Sequence, residues 1–327
     1  MIQHTLKVSS SANPSRHPAP TIEFSEFTKV SFQCMASPCE ILLDINEADE
    51  SEITELCLSA VLEAWRIEYK YSRYQDTNTW HELHNHPDTP QIIDSETQSL
   101  MAFAYQAWQL SDGRFDITSG LLRNVWSFKH KSLPSQTKID SLLAHIGFDK
   151  LIWHPEDPSF LTVPSGMELD FGGIGKEYAV DRVLHLIDQQ LKQRNLTYRV
   201  LVNFGGDLAC RQNLKHPIPW QIGIESLTQE NRSDISILLS QGAIATSGDT
   251  KRYITIHDKR YGHILNPKTG WPIQSPYRSI SVAADSCVQA GMLATFTLLQ
   301  GHDAKTFISQ TGLDYWLRTE QKTYTNR

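Results

Sequence analysis

The chain has 327 residues, 40% hydrophobic and 20% charged, with a formal net charge of −7, the make-up of a soluble globular protein with a full core. An acidic balance argues against nucleic acid as the partner, and no run of about 18 apolar residues is present to span a membrane. Cys34, Cys39, Cys57, Cys210 and Cys287 show no CxxC spacing, which reads as reduced thiols in a cytoplasmic setting and not as a disulfide framework or zinc site.

The first twenty residues, MIQHTLKVSSSANPSRHPAP, lack the apolar core of a signal peptide. Their Ser/Pro content predicts disorder for 1–20 and leaves 21–327 as the folded unit. Two strand-like runs, VSFQCM and EILLDI, flank Ala36-Ser37-Pro38. Residues 47–69 then repeat apolar side chains at the helical period: Ile53, Leu56, Cys57, Ala60, Ala64 and Ile67. Tyr71-Ser72-Arg73-Tyr74 follows and leads into a polar loop. His81, His84 and His86 in that loop are too loosely spaced to read as metal ligands. Ser95 is the expected N-cap of a helix over 96–110, closed by Asp112-Gly113. A short helix over 139–146 and strands over 151–153 and 160–163 come next.

A short strand is expected to reach Leu169-Asp170-Phe171, break at Gly172-Gly173 and pass into a helix carrying Val180, Val183, Leu184, Ile187 and Leu191. Strand, double glycine and helix is the layout in which first-turn N–H groups receive an anion, and Lys176 adds a positive charge there. An ordinary strand-to-helix turn would look the same, and neither the Rossmann nor the Walker spacing is present. A buried strand over 199–204 ends at Gly205-Gly206-Asp207, where paired glycines allow close backbone approach. Strands over 220–225 and 235–239 follow.

Residues 243–273 carry the densest chemistry. Thr246-Ser247-Gly248-Asp249 precedes a hairpin with the turn His257-Asp258-Lys259-Arg260, and Asn266-Pro267-Lys268-Thr269-Gly270 closes its second arm. Small hydroxyls, a carboxylate, cations and a histidine at the ends of a rigid element suit a polar, phosphorylated ligand. A strand over 279–284, a helix over 288–299, then a helix turn and an edge strand within 307–317 complete the chain. With no linker in sight, the expectation is one α+β domain.

In order, FDITSG (115–120), LDFGGIGKEYAVDR (169–182), LVNFGGDL (201–208), ATSGD (245–249), YGHILNPKTGWP (261–272) and AGMLAT (290–295) resemble the ApbE family of FAD:protein FMN transferases. FQCMASPCEI and KYSRYQ are similar to that family too, so the resemblance runs from about Phe32 to the last helix. It implies an α+β, single ApbE-like (T-fold-related) domain with mixed sheets and flanking helices. It also implies that FAD is cleaved and FMN joined by a phosphoester bond to a Thr or Ser of a target flavoprotein, with AMP leaving. Such phosphoryl transfer relies on positioning and charge neutralisation, for which magnesium is the expected cation.

The resemblance assigns roles to residues. Met35, Tyr71 and Tyr74 would border a ring of the ligand, and Asp116 and Thr118 would hold its polar edges. Gly172, Gly173 and Lys176 would serve the phosphates, while Asn203, Gly205, Gly206 and Asp207 shape the nucleotide cleft. Thr246, Ser247, Gly248 and Asp249 would line the pyrophosphate. His263 would act as general base on the acceptor hydroxyl, a task suited to imidazole, and Lys176 would assist catalysis. Glycine turns and hairpin are thus expected to converge on a diphosphate, with Lys176, Asp249 and His263 sharing one cavity.

The metal ligands implied are the Gly175 carbonyl and Thr295. Gly291 stands where the family usually has a carboxylate, and Glu177 stands where it usually has glycine. Magnesium generally relies on only one or two carboxylates, so two outcomes stay open. Either Glu177, Asp249 or Asp285 supplies a replacement oxygen, or the metal site is weakened and leaves a slow transferase or an FAD-binding relative without transfer. FAD pyrophosphatase action, with water as acceptor, is a separate variant. The absence of an export signal points to a cytoplasmic location and a cytoplasmic target flavoprotein.

Overall fold

The computed structural model describes residues 2–5, 17–46, 48–128, 132–229, 231–250 and 252–327, the first four as backbone only. Strands β1 (Ile2–Thr5), β2 (Thr21–Phe24), β3 (Thr28–Cys34) and β4 (Ser37–Asn46) form a meander, and helix α1 (Glu50–Tyr71) follows. Next come α2 (Thr79–Asn85), β5 (Gln91–Ile92), α3 (Ser95–Leu110), α4 (Gln136–Leu143), β6 (Ile152–His154) and β7 (Asp157–Thr162). Then follow α5 (Gly175–Gln193), β8 (Thr197–Phe204), β9 (Asp207–Gln212), the hairpin β10 (Trp220–Glu225) and β11 (Ser233–Leu239), and β12 (Gly242–Gly248). A second hairpin, β13 (Tyr253–Ile256) and β14 (Lys259–Gly262), precedes β15 (Ser279–Ala284), α6 (Cys287–Leu299), α7 (Ala304–Ser309), β16 (Tyr315–Arg318) and β17 (Thr323–Thr325).

Ten strands make one sheet in the order β1-β2-β3-β4-β8-β9-β12-β15-β16-β17. Each of its pairings is antiparallel. Alternation along β8 shows why both faces are covered. Val200, Val202 and Phe204 join the core under α1 and α5, while Leu201 points to the other face beneath β10 and β11. A separate cluster gathers α3, Phe115, Leu169 and Phe171 with Phe296 and Leu299 of α6. Helix α6 therefore bridges the sheet and the smaller three-stranded unit β5-β7-β6. No helix among the described residues is long and apolar enough to cross a membrane.

Several local expectations change. Asp94, not Ser95, caps α3, its carboxylate accepting from Thr97 N; the two types compete as caps, and the chain's approach angle decides between neighbours. Residues 169–171 form no strand: Asp170 accepts from Gly172 N, and Phe171–Gly173 is one 3-10 turn. The loop after α1 contains α2, capped by Asn78. The expected edge strand β16 lies inside the sheet, because β17 pairs beyond it. Part of the disorder expected for 1–20 falls outside the described residues, but Ile2–Thr5 pairs with Thr21–Phe24 as a strand.

Candidate active site

Two glycines turn β8 into β9. Gly205 has φ +62° and Gly206 φ +100°, a region that residues with a Cβ avoid. The Asn203 side chain accepts from Gly206 N at 2.9 Å and closes the turn. Beneath it, Asp207 is buried. Its Oδ1 accepts from Thr246 N at 3.0 Å, and its Oδ2 lies 2.6 Å from Lys176 Nζ. One carboxylate thus ties β9, β12 and the first turn of α5 together. Burial works against the Lys176 charge, but Asp207 raises its pKa overall.

Helix α5 starts at Gly175 with Ile174 as a cap whose side chain makes no capping hydrogen bond. Contacts at two levels, one helical turn apart on α5, set α5 against α6. Asp181 accepts from Cys287 N and Val288 N at 2.8 and 2.9 Å, capping α6 from its neighbour. One turn back on α5, Glu177 faces Gly291, where a Cβ would stand 2.7 Å from Glu177 Cγ and Oε1. Beyond the start of α5, Gly173 lines a cavity that Thr295 of α6 also lines. Glu177 Oε2 is buried and has no hydrogen-bond partner among the described residues; burial, then Asp207, push its carboxyl up to about 8.

That cavity, about 330 Å³, is lined by Arg73, Arg114, Arg123, Gly172, Gly173, His263 and Thr295, with others. A second, about 280 Å³, is lined by Asn203, Gly205, Gly206, Thr246, Gly248 and Ser279, with others. Arg252 and His263 border both. His263 Nδ1 lies 3.2 Å from Arg252 O. A carbonyl only accepts, so Nδ1 carries the proton and Nε2 keeps its lone pair. Burial lowers the pKa of this imidazole and favours that neutral form. Alternation along β12 divides its hydroxyls. Thr246 bonds Ser281 across the strands at 2.7 Å, and Ser247 reaches Thr295 on α6 at 2.8 Å.

Other expected residues sit elsewhere. Met35 turns the β3–β4 hairpin at φ +51° and packs on the main core. Tyr71 bonds Thr97 and meets the Phe171 ring edge at 5.2 Å, so it is a core residue. Tyr74 is 79% exposed under the Arg73 guanidinium. None of the three lines either cavity. Asp116 borders the first, but its oxygens accept from Thr118 N, Thr118 Oγ1 and Phe148 N. Thr118 Oγ1 accepts in turn from Gly147 N, so this pair fastens two loops. Asp249 lies in neither cavity: it pairs with Arg260 and Arg278 and packs under Gly262. Of the three groups expected to share a cavity, His263 borders both, Lys176 lies under the turn that borders one, and Asp249 stands apart. Asp285 is exposed beyond the end of β15 opposite Ser279.

The arginines were missed because each comes from a different segment, and no spacing in the sequence links them. Arg73 is paired with Asp170, Arg123 with Glu168, and Arg114 with Gln300. A larger cavity, about 640 Å³, lies beside Asp116. Its cations are already engaged: Lys268 pairs with Asp112 at 2.9 Å, and Lys150 donates to the carbonyls of Leu143, Ala144 and Ile146. No histidine among the described residues lines this larger cavity, whereas His263 borders both smaller ones, so we place the chemistry at His263.

Fold and site define an α+β protein with two glycine-lined cavities meeting at a neutral histidine. The ApbE family model matches residues 35–317, and the chain belongs to the ApbE family. It is 29% identical over 224 residues to the FAD:protein FMN transferase of Haemophilus influenzae, covering 66% of this chain and 63% of that one, less than two thirds of the relative. Identity to the FAD:protein FMN transferase of Escherichia coli K12 is 27% over 270 residues, covering 80% and 73%. The crystal structure of the ApbE protein from Thermotoga maritima superposes with a TM-score of 0.79 at 26% identity, covering 92% and 96%.

Proposed function

We propose that the chain is an FAD:protein FMN transferase, which cleaves FAD, joins FMN by a phosphoester bond to a Thr or Ser of a target flavoprotein and releases AMP. The observation that carries this reading is His263, which borders both cavities while its Nδ1 turns to the Arg252 carbonyl, leaving Nε2 as the basic nitrogen. A dinucleotide laid across that junction would bring its diphosphate to the imidazole. Gly205-Gly206 lets backbone approach one side, and Gly172-Gly173 at the start of α5 would receive phosphate on the other. His263 would take the proton from the acceptor hydroxyl.

The residues fit a hard divalent cation, for which magnesium is our choice. The Gly175 carbonyl and Thr295 Oγ1 are oxygen donors of the type it takes, and a partnerless buried carboxylate oxygen on Glu177 belongs to the same helix pair. When bound, such a cation neutralises charge on the phosphates. Five buried, unpaired cysteines support a reducing, cytoplasmic setting for the chain and its acceptor.

Incubation with FAD, magnesium and a flavoprotein domain bearing the acceptor hydroxyl tests the reading. Covalent FMN and AMP in equal amounts are expected. FMN release without attachment would make water the acceptor, and FAD binding without AMP would make the chain a flavin-binding relative.

A further inference from the structure

The facing pair Glu177 and Gly291 carries an inference that rests on the transferase reading. The family pattern puts glycine on α5 and a carboxylate on α6 at these places, and this chain has the reverse. The two changes are coupled in space. A Cβ at position 291 would lie 2.7 Å from Glu177 Oε1 and Cγ and 3.0 Å from Cδ, so a side chain there and the Glu177 carboxyl in its present rotamer compete for the same space. Glycine at 291 therefore does not leave a void: the Glu177 carboxyl fills it. The surrounding register is tight, with Asp181 fixing α6 at Cys287 and Val288 one turn away.

Glu177 Oε2 is buried and has no hydrogen-bond partner among the described residues. A buried carboxyl oxygen left without a partner is destabilising in a protein that merely folds. Gly175, two residues back, opens the same helix. Thr295 lies one turn from Gly291 on the same face of α6, its hydroxyl already turned inward to Ser247 at 2.8 Å. We propose that Glu177 supplies the carboxylate of the divalent-cation site from α5, Gly291 and Glu177 being one exchanged pair. The site then keeps its single protein carboxylate, with the side chain reaching in from the opposite helix. Asp249, held by two arginines, and Asp285, exposed, take no part.

Manganese provides the probe, read by its electron paramagnetic resonance during titration of the full chain, with and without FAD. Wild type binds one ion, and Glu177→Gln weakens it at least tenfold. The double variant Glu177→Gly/Gly291→Asp, which returns the carboxylate to α6, regains affinity within about threefold of wild type. Melting without metal separates a ligand from a structural acid: Glu177→Gln leaves Tm unchanged or raises it, but loses the rise produced by magnesium. Wild type that binds no manganese, Glu177→Gln that binds it as wild type does, or a folded double variant that fails to bind would each overturn the assignment. Should Glu177→Gln not fold, the double variant decides. AMP release measured on the same samples keeps the two ideas apart. Cation binding that follows Glu177 without AMP release sinks the transferase reading alone, and AMP release with binding indifferent to Glu177 sinks this one alone.

Discussion

Lys176 Nζ and Asp207 Oδ2, on α5 and β9, meet 2.6 Å apart beneath the Gly205-Gly206 turn. The pair joins the two halves of the site, since Asp207 also accepts from Thr246 N of β12. Asp207→Asn keeps an acceptor for Thr246 but strands the ammonium. Lys176 is about a quarter exposed, so water relieves part of the cost, and a loss of about 1–3 kcal/mol is expected. Calorimetry should record Tm lower by roughly 1–5 °C, with FAD affinity falling as well. An unchanged Tm would show that the pair does not brace the site.

Loss of the imidazole base should slow transfer without loosening FAD. His263→Gln is expected to lower kcat for AMP release by about 10²–10⁴ while leaving the FAD dissociation constant within a few-fold. Burial lowers the His263 pKa from its ordinary 6.5, so activity should persist below that pH and decline only as the folded value is passed. The sign for stability is the same. A depressed folded pKa contributes stability above the unfolded value, and this is lost as pH falls through the folded one. A rate limb centred above 6.5 would contradict the burial argument.

Asp116 offers a contrast. Its three hydrogen bonds join the 115–120 turn to Gly147 and Phe148, so Asp116→Ala should destabilise by about 2–4 kcal/mol, read as a lower urea midpoint with unchanged slope. Below saturation its KM for FAD should move little. A tenfold KM change with an unmoved midpoint would return Asp116 to the ligand.

The glycine turn separates two kinds of strain. At Gly206 a Cβ meets nothing within 4 Å, whereas at Gly205 it would stand 2.8 Å from Ser37 Oγ. Gly206→Ala should cost only its backbone conformation, about 1–2 kcal/mol. Gly205→Ala adds the clash and should be worse, with Ser37→Gly recovering part of the difference. Equal losses at the two positions, in denaturant melts, would show that steric contact with Ser37 plays no role.

What could be read from the chain alone was whatever depends on neighbours in sequence. The periods of α1, α5 and β8, the glycine turns, and the hairpin before His263 all follow from local backbone preference and alternation. The ordered motifs supplied the family. Only the folded molecule sorted residues by partner: Tyr71 went to the core, Asp249 to two arginines, and Arg73, Arg114, Arg123 and Arg252 to one cavity from separate segments. Position 291 shows the difference most plainly. In sequence it is a missing carboxylate; against Glu177, 114 positions away by their numbers, it is the room that another carboxylate occupies. Steric exclusion between two packed helices decides that, and no local pattern encodes which helices will meet.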